Sequence, residues 1–354
     1  MHKNFNIIGL MSGSSVDGLD IALVRFEKKN TKWKFEIQKA KTVEYNLALS
    51  QKLLSAHLLP AIELKYLEKE FAEFCVKAIN EFKNNISIKV DFISSHGHTV
   101  FHQPEKGISW QIGDGELIAK SCGIIVVSDF RTGDIALGGQ GAPLVPIGDE
   151  LLFSEFDACV NLGGFSNISF KNKENKRLAF DICPVNIVLN YLCKKIDKEF
   201  DKNGEIASKN VLNQSFLAEL NNLDYYSAKY PKSLGREWVE AEIFPILEKY
   251  LQTETVENLI ASFTNHVAFQ ISKNIKYFSK VLFTGGGAYN SFLIKKVKEF
   301  SSVDIILPKN EIIDYKEALI FAFLGLLRMQ GEINCLASVT GAERDSCCGK
   351  ISFA

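Results

Sequence analysis

Apolar residues recur at Leu64, Leu67, Phe71, Phe74, Ala78 and Phe82, a spacing that predicts one helical stripe between Pro60 and Asn84. Shorter apolar runs predict strands at 5–11, 19–24, 90–95, 124–127, 158–162, 168–170, 177–181 and 280–283. Helices are expected from about Gly113, from Pro184, over 255–277, and from Lys316 to about Met329. The stretches 128–146 and 201–236 read as irregular. Strands separated by helical patterns predict an α/β protein whose sheets carry helices on their faces.

One unit occurs twice. Residues 5–24 read strand, turn, strand, with Ser12-Gly13-Ser14-Ser15-Val16-Asp17-Gly18 as the turn. Residues 157–170 repeat it around Gly163-Gly164-Phe165-Ser166-Asn167. Glycine turns let backbone N–H groups approach an anion, because no Cβ stands in the way. Their duplication suggests two related lobes with a nucleotide phosphate chain held between them.

The length, 354 residues, suits two domains, and the division is expected near the end of the 128–146 stretch, giving 1–147 and 148–354. The charge balance of 41 basic and 42 acidic residues gives no field that favours nucleic acid. The longest apolar run, Ala318 to Leu327, is about half of what a bilayer needs, so no membrane partner is expected. Met1-His2-Lys3-Asn4 leads straight into a strand without a signal-peptide pattern. Eight cysteines without a framework spacing fit a reducing cytoplasm, and Cys347-Cys348 lacks the histidines of a zinc site.

No G-x-x-x-x-G-K-[ST] motif occurs, and Gly139-Gln140-Gly141-Ala142-Pro143 lacks the third glycine of a dinucleotide fingerprint. The acids are more telling. Asp17 lies in the first turn, Asp114 and Asp129 follow strand or loop ends, and Asp181 ends a strand just before Pro184. A single such Asp reads as a cap. Four of them, grouped with glycine turns in both halves, read as a site for phosphoryl transfer. That reaction needs donors around phosphates, carboxylates for Mg2+ and one carboxylate to take a proton. His96-x-His98-x3-His102 has no carboxylate or thiol at ligand spacing, which leaves substrate contact or structural hydrogen bonding, and no metal site is expected.

Ordered blocks then carry a family resemblance. Gly9-Leu10-Met11-Ser12-Gly13-Ser14-Ser15-Val16-Asp17-Gly18-Leu19-Asp20 resembles the opening of the anhydro-N-acetylmuramic acid kinases. So do Ser95-His96-Gly97-His98-Thr99, Gln111-Ile112-Gly113-Asp114, and Asp129-Phe130-Arg131 through Gly138-Gly139-Gln140-Gly141-Ala142-Pro143-Leu144-Val145-Pro146. Asn161 to Ile168, Pro231-Lys232-Ser233-Leu234-Gly235-Arg236-Glu237, Thr284 to Asn290 and Lys316-Glu317-Ala318 extend the likeness across nearly the whole chain.

The resemblance implies an actin-like sugar kinase: two ribonuclease-H-like lobes with an interlobe cleft, and the C-terminal helix packing back toward the first lobe. It implies that 1,6-anhydro-N-acetylmuramic acid is opened by water and phosphorylated from ATP, with Mg2+, to N-acetylmuramic acid 6-phosphate in peptidoglycan recycling. It assigns Asp181 as general base and Arg131 as a clamp on sugar or phosphate. It gives ATP to Gly13, Ser14, Ser15, Val16, Asp17, Gly18, Leu19 and Asp20, to Gly163, Gly164 and Asn167, and to Gly285, Gly286, Gly287 and Asn290. It gives the sugar to Thr99, His98, Asp114 and Glu317. A cytoplasmic homodimer is implied as well.

Four positions depart from the family pattern. His98 stands where Gln is usual, Ser128 where Gly is usual, and Cys183 and Val185 replace two glycines beside Asp181. Their side chains are expected to line the sugar pocket, the alternative being that they point into the lobe core. The open alternatives in function are a kinase of a different amino sugar and a nucleotide-binding regulator on the same scaffold.

Overall fold

The computed structural model describes residues 4–13, 16–30, 32–84 and 86–354. Its strands, in chain order, are β1 (Asn4–Ser12), β2 (Gly18–Lys29), β3 (Lys32–Glu44), β4 (Phe92–Ser95), β5 (His98–Gln103), β6 (Ile108–Ile112), β7 (Val126–Ser128), β8 (Ala158–Leu162), β9 (Phe165–Lys171), β10 (Arg177–Pro184), β11 (Lys280–Thr284), β12 (Asp304–Ile306) and β13 (Lys350–Ser352). The chain divides into two compact units. The first runs to Ser154 and takes in Tyr315–Ala354, and the second is Glu155–Asp314. The sequence expectation put the division at 147/148 and all of 148–354 in the second lobe. The helix Asn310–Gln330 breaks its backbone geometry at Tyr315, where the chain passes from one unit to the other.

In the first unit the sheet order is β13-β7-β4-β1-β2-β3. Strands β1, β2 and β3 form an antiparallel meander, while β4 and β7 run parallel to β1. In the second unit the order is β10-β9-β8-β11-β12, again a meander followed by two parallel strands. Counting strands within each unit, with β13 and the β5–β6 hairpin set aside as additions, both sheets read 3-2-1-4-5. This repetition is the ribonuclease-H-like arrangement of the actin-like kinases, and it turns the duplicated sequence pattern into duplicated topology.

In the first unit, β1 is buried on both faces from Ile7 to Leu10, as a central strand covered by helices on both sides must be. One face packs on the helix Ala61–Lys83 through Leu64, Leu67, Phe71, Ala78 and Phe82, the predicted stripe, with Phe74 at its margin. On the other face, Phe26 and Trp33 meet Phe323 at ring-centroid distances of 5.4 and 5.5 Å. Two glycines let that C-terminal helix approach the sheet. A Cβ at Gly9 would run into the Ala318 carbonyl, and one at Gly325 would lie 2.5 Å from Ser94 Oγ. A buried ion pair, Lys316 Nζ to Asp149 Oδ1 at 2.7 Å, fixes the same helix just after its break at Tyr315.

In the second unit, helices Asn186–Lys194, Val256–Ile275 and Ser291–Phe300 bury Leu189, Leu192, Phe263, Val267, Leu293 and Val297 against strands β8 to β11. The expected strand 177–181 continues to Pro184, and the helix after it starts at Asn186 rather than Pro184.

Candidate functional site

In the second unit the site grows from strand register. Asp181 pairs with Asn167, Asn167 with Asn161, and Asn161 with Thr284. Directly paired residues share a face of the sheet, so four strands present one polar row. Asn161 and Thr284 were not among the predicted site residues. The signal that could have found them is a polar side chain at or one residue before the C-terminal end of each of two apolar runs. Thr284 Oγ1 is buried without a hydrogen-bond partner among the described residues.

Asp181 Oδ2 accepts the Leu234 N–H at 2.8 Å, which leaves Oδ1 without a hydrogen bond among the described residues. Its backbone carbonyl accepts from the Tyr225 hydroxyl at 2.6 Å, and its N–H donates to the Lys232 carbonyl at 3.3 Å. Burial raises the Asp181 pKa above the ordinary carboxylate value, and the Leu234 amide partly opposes that. The 225–234 segment therefore fixes the Asp181 backbone, the Leu234 N–H orients the carboxylate, and burial makes it more basic.

The register breaks just after this residue. Cys183 pairs with Ser166, so Ile182 is an extra residue, a β-bulge. Ile182, Cys183 and Val185 are all buried, with Val185 at 0% exposure, and all three belong to the core of the unit. The expectation that Cys183 and Val185 line the sugar pocket is thus corrected. On an unbroken strand Cys183 would share the face of Asp181, and the bulge turns it inward. There Ser166 Oγ donates to the Cys183 carbonyl and accepts its N–H, and burial pushes the thiol up to about 12.

The glycines separate into two kinds. Gly285 has φ +82° and Gly287 is packed on Leu162, so the fold itself demands both. Nothing lies within 4 Å of a Cβ at Gly286, and at Gly163 and Gly164 only ordinary contacts of 3.4 to 4.0 Å would form. Gly163 and Gly164 carbonyls accept N–H groups from Val185, Asn186 and Ile187 at the start of the following helix. The Gly164 N–H has no backbone partner among the described residues. Asn290 caps the helix Ser291–Phe300 through Leu293 N–H at 2.9 Å.

In the first unit, Ser14 and Ser15 lie outside the described residues. Gly13 accepts the Val16 N–H at 3.3 Å. Val16 has φ 56°, a left-handed conformation unusual for a β-branched residue and of the kind that gathers at ligand-holding turns. Asp17 is exposed, Gly18 is packed against Thr42 and Val43, and Leu19 is a core residue. Asp20 Oδ1 accepts from Thr42 Oγ1 at 2.6 Å.

Arg131 donates from Nη1 to the Gly141 carbonyl and from Nη2 to His96 Nε2, both at 2.8 Å. A guanidinium can only donate, so Nε2 carries a lone pair and the proton sits on Nδ1, which gives it to the Gly97 carbonyl at 2.9 Å. Burial, then Arg131, holds the His96 pKa down to about 3. Burial also lowers the Arg131 pKa to about 10, with Glu317 pulling the other way. Glu317 is solvent-accessible yet crowded enough that desolvation, then Asp20, raises its carboxyl pKa against Lys316 and Arg131. Asp20, Arg131 and Glu317 are therefore one electrostatic group.

The remaining predicted contacts have other partners. His98 is buried, with Nδ1 2.9 Å from Ser12 Oγ. That bond ties the imidazole to the end of β1. Asp114 caps the helix Gly115–Cys122 through Glu116 and Leu117 N–H. Thr99 is half-buried opposite Gln111 in the β5–β6 hairpin. His102 meets Ser109, and no group of three or more metal-ligating side chains is found among the described residues. Sequence reasoning missed Asp134. This fully buried carboxylate accepts Gly141 N–H and Thr340 Oγ1, both at 2.8 Å, and so fixes the glycine-rich loop that receives Arg131.

A sequence model of the family described as anhydro-N-acetylmuramic acid kinase matches residues 5–354. Curated relatives bearing that name include those of Francisella tularensis subsp. novicida, 35% identical over 98% of this chain and 98% of the relative, and Clostridioides difficile, 34% identical over 98% and 97%. A third, from Caldanaerobacter subterraneus subsp. tengcongensis, is 33% identical over 98% and 96%. The chain belongs to the anhydro-N-acetylmuramic acid kinase family. It is an enzyme, a sugar kinase, and as such uses ATP. Among solved structures, the activator of the 2-hydroxyisocaproyl-CoA dehydratase from Clostridium difficile aligns over 93% of this chain and 97% of its own, at 14% identity and TM-score 0.42. The fold of this kinase is read from its strand order, not from that likeness.

Proposed function

We propose that this kinase opens 1,6-anhydro-N-acetylmuramic acid with water and phosphorylates it from ATP, giving N-acetylmuramic acid 6-phosphate for peptidoglycan recycling. Asp181 takes a proton from the water that attacks C1. The C1–O6 bond breaks, O6 attacks the γ-phosphorus, and ADP leaves. The single observation that carries this reading is the carboxylate of Asp181, clamped at Oδ2, with Oδ1 left for a proton and a pKa raised by burial. A base of that kind is both oriented and stronger than an ordinary carboxylate.

Within the first unit Gly13 and Asp17 are assigned to ATP; within the second, Gly163, Gly164 and Asn167 are assigned to its phosphates and Gly286 to the adenosine side. Gly163, Gly164 and Gly286 support this because neither packing nor backbone conformation explains their lack of a side chain. Arg131 and Glu317 are assigned to the sugar and its developing charge. Mg2+ asks for one or two carboxylates and completes its shell with phosphate oxygens and water. Asp20 and Glu317 would supply those carboxylates, Asp20 contributing to the raised pKa of Glu317. Such an ion would neutralise charge on the transferring phosphoryl group.

A homodimer is supported by the exposed apolar side chains Leu54, Leu58, Ile62 and Tyr66 around one helix start. A cytoplasmic setting is supported by eight cysteines without a disulfide. Among the described residues no helix is long and apolar enough to cross a membrane.

The test is Asp181→Asn. ATP affinity should persist while turnover of the anhydro sugar falls by about 100-fold or more. Turnover close to that of the unaltered enzyme would remove Asp181 from the role. Faster turnover of an open-ring amino sugar than of the anhydro sugar by the unaltered enzyme would replace the substrate.

A further inference from the structure

The second unit holds a cavity of about 390 Å³ lined by Phe180, Tyr226, Tyr230, Lys229, Lys232 and Lys273, with Ala228 and Asn274. Successive side chains of a strand point to opposite faces, so Phe180 places this cavity on the other side of β10 from Asp181. The volume falls within the range of about 300–1,000 Å³ typical of small-ligand sites. None of its lining residues is acidic.

The three lysines set its chemistry. Lys232 Nζ donates to the Tyr225 carbonyl at 3.0 Å, and Lys273 Nζ to the Tyr226 carbonyl at 3.4 Å. Neither ammonium meets a carboxylate through these bonds. Burial, then the repulsion of Lys273, lowers the Lys232 pKa, so the two charges work against each other across the cavity. Like charges gathered in a concave site without an acid are relieved by an anion. Ammonium groups suit phosphate, which they meet as point charges from several directions.

The remaining wall is aromatic. Phe180 and Tyr230 stand nearly parallel, 7° apart with centroids at 6.1 Å. Tyr226 is fixed beneath by His266 Nε2 at 3.0 Å, and His266 is fixed in turn by Asn221 at 2.7 Å. An aromatic wall offers a flat apolar surface for the C–H face of a sugar ring, and Asn274 offers both a donor and an acceptor. We propose that this cavity binds a phosphorylated sugar, with Lys229, Lys232 and Lys273 holding the phosphate and Phe180 and Tyr230 the ring.

The experiment is calorimetric titration of the full-length enzyme, saturated with anhydro sugar and a non-hydrolysable ATP analogue, with a hexosamine 6-phosphate, inorganic phosphate and the unphosphorylated hexosamine. The hexosamine phosphate should bind despite the occupied active site, more tightly than phosphate, and the neutral sugar should not bind. Lys229→Ala combined with Lys273→Ala replaces two exposed side chains, and should weaken binding by about tenfold or more with an unchanged melting temperature. Loss of all binding in the saturated enzyme would overturn the proposal, because the ligand would then be using the active site. Unchanged affinity in the double variant would overturn it as well. Equal affinity for phosphate and hexosamine phosphate would remove the sugar from it.

Discussion

Val185→Ala separates the two readings of the departure beside the base. Val185 is fully buried and belongs to the same core as Val188, Leu189 and Phe263. Its N–H binds the Gly164 carbonyl at 2.8 Å, a bond that alanine keeps. Removing one buried methylene costs about 0.5–1.5 kcal/mol, and Leu→Ala, which removes three carbons, about 2–5 kcal/mol. Valine to alanine removes two, which places the loss at about 2–3 kcal/mol. Val185 precedes the helix Asn186–Lys194, so the higher helix propensity of alanine returns little. For a unit of this size each kcal/mol moves the melting temperature by about 2–4 °C, so a fall of about 5–10 °C is expected in a thermal melt. The ratio of kcat/KM for the anhydro sugar over smaller anhydro sugars should stay within about twofold, because no atom facing the ligand has changed. A shift of that ratio by about tenfold with an unchanged melt would refute the burial argument, since one methyl-sized change in a pocket is worth about that much.

Two further expectations follow from burial and backbone geometry. His96 and His266 have folded-state pKa values of about 3 against an ordinary 6.5, so the unfolded chain takes up their protons first as pH falls. Their stabilisation is fully present above 6.5 and is lost as pH drops toward 3, at up to about 1.4 kcal/mol per pH unit for each imidazole. Urea unfolding at about pH 7 and about pH 5 should show a pH slope smaller by about one proton in His266→Gln, and an unchanged slope would contradict the buried neutral imidazole. Among the glycines, Gly286→Ala and Gly163→Ala should leave the melt within about 2 °C while weakening ATP binding by about tenfold, whereas Gly285→Ala, at φ +82°, should cost about 1 kcal/mol or more in stability. Unaltered ATP affinity in the first two variants would return those glycines to plain turns.

Much of the fold is legible in the sequence because period and element agree. The stripe from Leu64 to Phe82 is a helix, and the two strand–turn–strand units head two sheets of the same strand order. Asp181 is legible as a charged residue in an apolar strand, although that strand runs on to Pro184. Its neighbours are not, because a bulge is invisible to a period-two argument. One extra residue, Ile182, reverses the expected direction of Cys183. Glycine roles are equally hidden: Gly9 and Gly325 serve helix packing, Gly285 a left-handed turn, and Gly286 neither. Only the partners brought in by tertiary contact tell them apart. Asp134 is the hardest case. It reads as one more loop acid until Gly141 and Thr340 arrive on either side of it.

Strand β3 lies at the edge of the first unit's sheet and runs for 13 residues, long enough to template another chain. Its sequence interleaves Lys32, Lys34, Glu36, Lys39, Lys41 and Glu44 with Trp33, Phe35 and Ile37. An intruding strand would have to desolvate those charges to complete the ladder. The edge thus carries its own gatekeepers, and neutralising Lys34 and Glu36 would create a sticky ribbon in an otherwise well-folded enzyme. Solubility in this kinase is in that sense written on a strand that carries none of the residues assigned to its chemistry.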